Sequence, residues 1–151
     1  MQIYHGQDLR KARYLEAGRP YLVTTVTHER RRVFQDWWTG RLLVAELRAA
    51  TESGLVDTLA WVVMPDHLHW LMAPRSEALD RIMRRVKSRS AIAIHRAAGG
   101  HGRLWQRGYH DHALRREEDL CECARYVVGN PLRAGLVERL SDYPLWDAIW
   151  L

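Results

Sequence analysis

Only one of the 151 residues is phenylalanine and only two are cysteine. Cys121 and Cys123 stand too close together for an ordinary structural disulfide, and neither has another cysteine to pair with. A zinc site built on them would need two further ligands at suitable spacing, so they read as small helix residues. No apolar run approaches the roughly 18 residues of a membrane span, and the opening "MQIYHGQDLRKARYL" lacks the apolar stretch of a signal peptide. Internal repeats and low-complexity tracts are missing as well. The expectation is a cytoplasmic protein with no membrane association.

What is present fits one domain over residues 1–151, with a core at about 20–137 and a tail at 138–151. Hydrophobic residues make up 47% of the chain and charged residues 27%, enough apolar side chain for one sizeable core. Lys and Arg exceed Asp and Glu by 23 to 18, a net charge of +5 in which arginine dominates. The basic residues cluster in "HERRR" at 28–32, in "RIMRRVKSRS" at 81–90, and at Arg103, Arg107, Arg115 and Arg116. Any one such run reads as a solvated face. Three in a small domain make nucleic acid the first partner to test.

Periodicity supplies the architecture. "PYLVTTVTH", 20–28, is β-branched and alternating, which predicts a strand after the Gly18-Arg19-Pro20 break. A helix is expected from about Trp38 to Ser53, because Leu42, Leu43, Glu46, Leu47 and Ala50 keep a 3.6-residue period and Gly54 ends it. "LVDTLAWVVM", 55–64, and "HLHWLMA", 67–73, are two apolar strands joined at Pro65-Asp66, a hairpin. A second helix is expected from about Glu77 to Ala97, with Ser76 as N-cap, Leu79, Ile82, Met83, Val86, Ala93 and Ala97 inward, and Arg84, Arg85 and Lys87 outward. "LWQRGYHDHALR" reads as a fourth strand region. Glu117 to Asn130 reads as a third helix with acids in its first turn, ending before Pro131. The aromatic tail "SDYPLWDAIW" is expected to cover an exposed edge of the core. This order points to an α+β fold of ferredoxin-like type, an antiparallel sheet with helices packed on it.

Within the hairpin stands "MPDHLHW", 64–70. On a strand, His67 and His69 point to one side and Leu68 to the other. Two imidazoles on one strand face suit a divalent ion, although the same spacing also describes two histidines on a solvated face. A third ligand is needed, and "ARYVVGNP" offers a candidate: Tyr126 and Asn130, four residues apart, share a helix face if the helix persists that far. The alternatives are a tyrosine that packs its ring and an asparagine that serves as a stop signal before proline.

Taken together, "WVVMPDHLHWLMAP", "LWQRGYHDHALR", "ARYVVGNPLRAGLV" and "DYPLW" resemble the REP-associated tyrosine transposases, a branch of the HUH single-strand DNA transposases with one catalytic tyrosine. The resemblance covers about Tyr21 to Trp146. It implies a ferredoxin-like domain in which His67 and His69 bind a divalent cation, Mg²⁺ or Mn²⁺, Asn130 completes that site one helical turn after the tyrosine, and Tyr126 is the nucleophile. Asp111, His112 and Arg115 match the family's Asp-His-x-x-Arg pattern, which makes His112 a structural or DNA-contacting residue. Two departures stand out: His110 occupies a place where an aromatic residue is common, and "DYP" continues as "LW" without the usual serines. The second bears on the path of the C-terminal tail.

The implied activity is nicking and rejoining of single-stranded DNA at hairpin elements through a 5′-phosphotyrosine, by a monomer or homodimer. Arg84, Lys87, Arg107, His112, Arg115 and Arg133 are the candidate DNA contacts, and Trp105 or Tyr109 the candidate stacking platforms for unpaired bases. No Walker-type phosphate loop is present, and no D-D-E constellation can be placed. Two other readings stay open: a catalytically idle nucleic-acid binding module of the same fold, and a metal-dependent phosphoesterase in which Tyr126 is structural.

Overall fold

Alternation in "YLVTTV" turns Val23 and Thr25 into the core and leaves Tyr21, Leu22, Thr24 and Val26 half-buried, and this strand is paired along both of its edges. The structure is a computed structural model and describes residues 19–149. Its strands are β1 (Tyr21–Val26), β2 (Val56–Met64), β3 (His67–Pro74), β4 (His110–Ala113) and β5 (Trp146–Ala148). Its α-helices are α1 (Trp37–Glu52), α2 (Leu79–Ala98), α3 (Glu117–Val128) and the single turn α4 (Asn130–Arg133). The sheet order is β4-β1-β3-β2-β5 with every pairing antiparallel. The first four strands with α1 and α2 make the ferredoxin-like βαββαβ arrangement expected from the sequence. Among the described residues no helix is long and apolar enough to cross a membrane.

The two sheet faces are covered differently, and that difference creates the site. Leu68, Trp70 and Met72 of β3 are completely buried on one face. Trp70 Nε1 donates to Thr58 Oγ1 at 3.1 Å, and Thr58 Oγ1 lies 2.7 Å from Thr51 Oγ1 on α1, so this face carries α1 with α2 packed beside it. The opposite face presents His67, His69 and Leu71, and there α3 lies against β2, β3 and β5. In α3 the buried residues Leu120, Ala124, Val127 and Val128 form one apolar stripe. β1 and β4, on the far side of β3, lie beyond the strands that α3 covers.

The expected helices form with shifted ends. Asp36 caps α1 by accepting from the Trp38 amide at 2.9 Å. For α2 the N-cap is Ala78, not Ser76, and no side chain bonds to the helix start. Ala97 is exposed, and the inward stripe runs instead through Ile82, Met83, Val86, Ser90 and Ile94, since a 3.6-residue period carries it to 90 and 94. The fourth strand region shrinks to β4, preceded by one isolated bridge between Thr27 and Trp105. Trp105 is buried, with its ring 5.5 Å from that of Phe34 and its Nε1 donating to Ser90 at 3.0 Å. It is a core residue and offers no surface to a base.

The tail closes the molecule. Tyr143 donates its hydroxyl to the Val63 carbonyl at 2.6 Å, Leu145 is buried, and β5 pairs with β2 through Ala60, Trp61 and Val62. A Cβ at position 40 would stand 2.5 Å from Leu145 Cδ1, so Gly40 is what lets the tail lie against α1.

Candidate active site

The strand pairing places both histidines beside hydrogen-bond partners. His69 lies opposite Thr24 of β1, with His69 Nδ1 2.8 Å from Thr24 Oγ1. His67, at the start of β3, donates from Nδ1 to Asp66 Oδ1 at 2.7 Å, and the other oxygen of Asp66 accepts from Arg30 at 3.0 Å. Arg30 reaches Asp66 from a tight turn in which Glu29 and Arg30 take φ of 57° and 52°, a costly conformation for residues with a Cβ. Burial alone would raise the Asp66 pKa, but its hydrogen bonds to His67 and Arg30 outweigh that and hold it below the ordinary carboxylate value. With both Nδ1 atoms engaged, both Nε2 atoms are left as the ligating positions, the pattern of imidazoles oriented by an outer layer of partners.

The imidazoles face one another edge to face, with ring centroids 4.8 Å apart. Burial, then the neighbouring charges of His67 and Arg133, push the His69 pKa down to about 4. His69 is therefore neutral near pH 7, the form in which imidazole is a ligand.

Tyr126 comes from α3. The apolar stripe of that helix faces the sheet, which turns Tyr126 to its edge, 50% exposed, with its ring centroid 6.1 Å from that of His69. The helix ends at Val128, earlier than the sequence predicts, and Asn130 begins α4 with Pro131 following it. Gly129 keeps right-handed helical angles, φ −78° and ψ −6°, so the four-residue relation between Tyr126 and Asn130 survives the break. Asn130 Nδ2 donates to the carbonyls of Tyr126 at 3.3 Å and Val127 at 3.2 Å, which commits its amide nitrogen to closing the helix and leaves Oδ1 as an acceptor. Among the described residues no cluster of three or more His, Cys, Asp or Glu forms a metal site, so any third protein ligand beside the histidine pair has to be of another kind.

The basic candidates divide. Lys87 is committed elsewhere: its ammonium donates to the carbonyls of Gln106 at 2.8 Å and Gly108 at 2.7 Å, and burial, with the charge of Arg103, lowers its pKa. It holds the loop before β4 in place, a role that a solvent-facing reading of the helix does not reveal. Arg84 is exposed on α2, across the sheet from the histidines. Arg133 lies over the Tyr126 ring, its Cζ 4.4 Å from the centroid. Arg107, His112 and Arg115 are exposed around β4. The register pairs Thr24 with both His69 and His110, and Leu22 with both Leu71 and His112, so His110 and His112 share the sheet face of His67 and His69. Tyr109 donates its hydroxyl to Asp80, and its pKa is raised by burial and by that carboxylate. Thr24, Asp66 and Arg30 were not singled out from the sequence. For Asp66 the local signal is its place directly before His67 in "PDH", whereas Thr24 depends on strand register.

Comparison with known proteins bears on the family and the fold. The family described as "Transposase IS200 like" matches residues 19–129. A REP-associated tyrosine transposase of Escherichia coli K12 is 30% identical over 87 residues, 56% of this chain and 50% of that protein. The chain thus aligns with about half the length of that curated relative. A solved REP-associated tyrosine transposase bound to a REP hairpin superposes with a TM-score of 0.69 at 22% identity, covering 86% of this chain and 76% of that one. A solved protein of Deinococcus radiodurans superposes with a TM-score of 0.55 at 22% identity, covering 72% of this chain and 87% of that one. With its fold, its histidine pair and its neighbouring tyrosine all inside or bordering the matched span, the chain belongs to the IS200-like transposase family.

Proposed function

We propose that this protein cuts and rejoins single-stranded DNA at hairpin elements, with Tyr126 as the nucleophile. The observation that carries the reading is the placement of an exposed phenol beside two imidazoles whose Nδ1 atoms are already anchored. In the cut, the Tyr126 hydroxyl oxygen attacks a backbone phosphorus, the bond from phosphorus to the 3′ oxygen breaks, and the phenolic proton is lost as the 3′ oxygen takes one up. The products are a 5′-phosphotyrosine and a free 3′-OH. Because the ester bond is conserved, a 3′-OH reverses the attack and joins strands without a nucleotide cofactor.

The cation in this reading is Mg²⁺ or Mn²⁺, with two borderline imidazole nitrogens and one hard amide oxygen as its protein ligands. It would be held by Nε2 of His67 and His69 and by Asn130 Oδ1, and when bound it offsets charge developing on the phosphate oxygens. Thr24 and Asp66 fix the ring planes of the two histidines. A ligating Nε2 on His69 requires the proton on Nδ1, which then donates to Thr24 Oγ1. Unpaired DNA suits the half of the sheet beyond α3, where His110 and His112 project between Arg107 and Arg115. Arg84, on the opposite layer, meets DNA only where a hairpin stem reaches round the edge.

The test is adduct trapping with a hairpin oligonucleotide carrying an unpaired flank and a labelled 3′ end. The wild-type protein is expected to give a band stable on a denaturing gel, and Tyr126→Phe to give none while binding the hairpin normally. Binding without any adduct in the wild type would favour the idle binding module. Cleavage that survives Tyr126→Phe would favour a metal-dependent phosphoesterase.

A further inference from the structure

We propose that Arg133 is a positioning residue for the Tyr126 phenol, and that the glycine at position 129 leaves the Arg133 guanidinium room to lie over the ring. The inference rests on Tyr126 being the nucleophile. Four observations converge on it. The guanidinium lies over the ring, with Cζ 4.4 Å from the centroid, within cation–π range. Its Nη2 also donates to the backbone carbonyl of Tyr126, so one side chain holds both the ring and the end of the helix that carries it. An ideal Cβ at Gly129 would stand 2.7 Å from Arg133 Nη1 and 3.0 Å from the Arg125 carbonyl oxygen. Gly129 nonetheless has φ −78° and ψ −6°, angles open to any residue, so the demand for glycine there is one of space and not of backbone conformation.

The need for such a device follows from exposure. A tyrosine that is 50% exposed and meets a neighbouring ring only at 6.1 Å would sample several rotamers, and each unproductive one lowers the fraction poised for attack. Arg133 is itself anchored. Its amide donates to the Gly129 carbonyl at 3.1 Å, the Ala134 amide donates to the Asn130 carbonyl at 2.9 Å, and Pro131 is buried. A planar guanidinium stacks on a ring and forks to a carbonyl at once, which an ammonium cannot do.

This role differs from a phosphate contact in what it controls. A phosphate contact sets affinity and its salt dependence, whereas a positioning residue sets the rate once DNA is bound. The experiment is single-turnover adduct formation with Mn²⁺ and saturating protein on a hairpin oligonucleotide, alongside the hairpin Kd, for Arg133→Met, Arg133→Lys and Gly129→Ala. Arg133→Met is expected to lower the saturated rate about tenfold or more, with Kd within about twofold. Arg133→Lys should fall between it and the wild type. Gly129→Ala keeps every charge, so a matching loss of rate with an unchanged melting temperature assigns the effect to the position of the guanidinium. A wild-type saturated rate in Arg133→Met or Gly129→Ala, or a loss confined to Kd, overturns the proposal. An adduct formed by Tyr126→Phe would instead overturn the nucleophile assignment beneath it.

Discussion

Thr24 and His69 meet across the β1–β3 ladder, hydroxyl oxygen to Nδ1 at 2.8 Å, and this contact decides which imidazole nitrogen faces the site. Replacing the hydroxyl by a methyl of similar shape tests that consequence. Thr24→Val is expected to fold normally and to need about 10- to 100-fold more Mn²⁺ for half-maximal adduct formation, the usual scale for losing a partner of a ligating histidine. An unchanged Mn²⁺ titration would show that Thr24 only fills space.

Asp66 makes a prediction about stability and pH. Its folded pKa lies below the ordinary value of 3.8, so its contribution is present above that value and is lost as pH falls through the folded pKa. Asp66→Asn should therefore cost about 1–2 kcal/mol at pH 6, where the carboxylate pairs with His67 and Arg30. The difference from wild type should shrink at pH 3. Urea unfolding at the two pH values measures it, and a penalty as large at pH 3 as at pH 6 would disprove the ionic origin.

How much was legible beforehand follows from what each feature depends on. The β2–β3 hairpin and the shared face of His67 and His69 rest on period-two alternation, a local property, and the sheet carries both. α1 and the first half of the inward stripe of α2, through Ile82, Met83 and Val86, rest on the 3.6-residue period and likewise form. Thr24 opposite His69 depends on register between strands more than 40 residues apart, to which no local pattern points. Lys87 shows the same limit from the other side. An outward lysine on an amphipathic helix reads as solvent-facing, yet the loop at 106–108 folds over it and accepts two hydrogen bonds from its ammonium. Trp105 reads from the sequence as a stacking platform, but Phe34 and Ser90 enclose it, while among the described tryptophans Trp37 and Trp38, 50% and 70% exposed, are the ones at the surface.

The arginines around β4 are expected to carry the salt dependence of DNA binding. Arg107→Glu with Arg115→Glu should reduce the slope of log K against log salt by about 1.4, at roughly 0.7 per single-strand phosphate contact. Arg84→Glu, on the layer behind the sheet, should reduce it less. Fluorescence anisotropy of a labelled hairpin between low and moderate salt measures both slopes. A larger effect from Arg84 would move the DNA path to the α2 side.

Asn130 has two separable duties, and one substitution cannot tell them apart. Its Nδ2 closes α3 by donating to the Tyr126 and Val127 carbonyls, and its Oδ1 is the proposed metal ligand. Asn130→Ala removes both. The lost donations should cost about 1 kcal/mol, or roughly 2–4 °C in Tm for a chain of this size, and the lost oxygen should weaken Mn²⁺ without abolishing cleavage, because two histidines remain. Asn130→Asp keeps an oxygen for the ion and sets the other against two carbonyl oxygens. It should therefore lower Tm at least as much as Asn130→Ala while retaining the Mn²⁺ response. If instead the two variants share the same Mn²⁺ requirement as the wild type and differ only in Tm, Asn130 is a helix cap, and the metal is held by the histidine pair with ligands from the DNA.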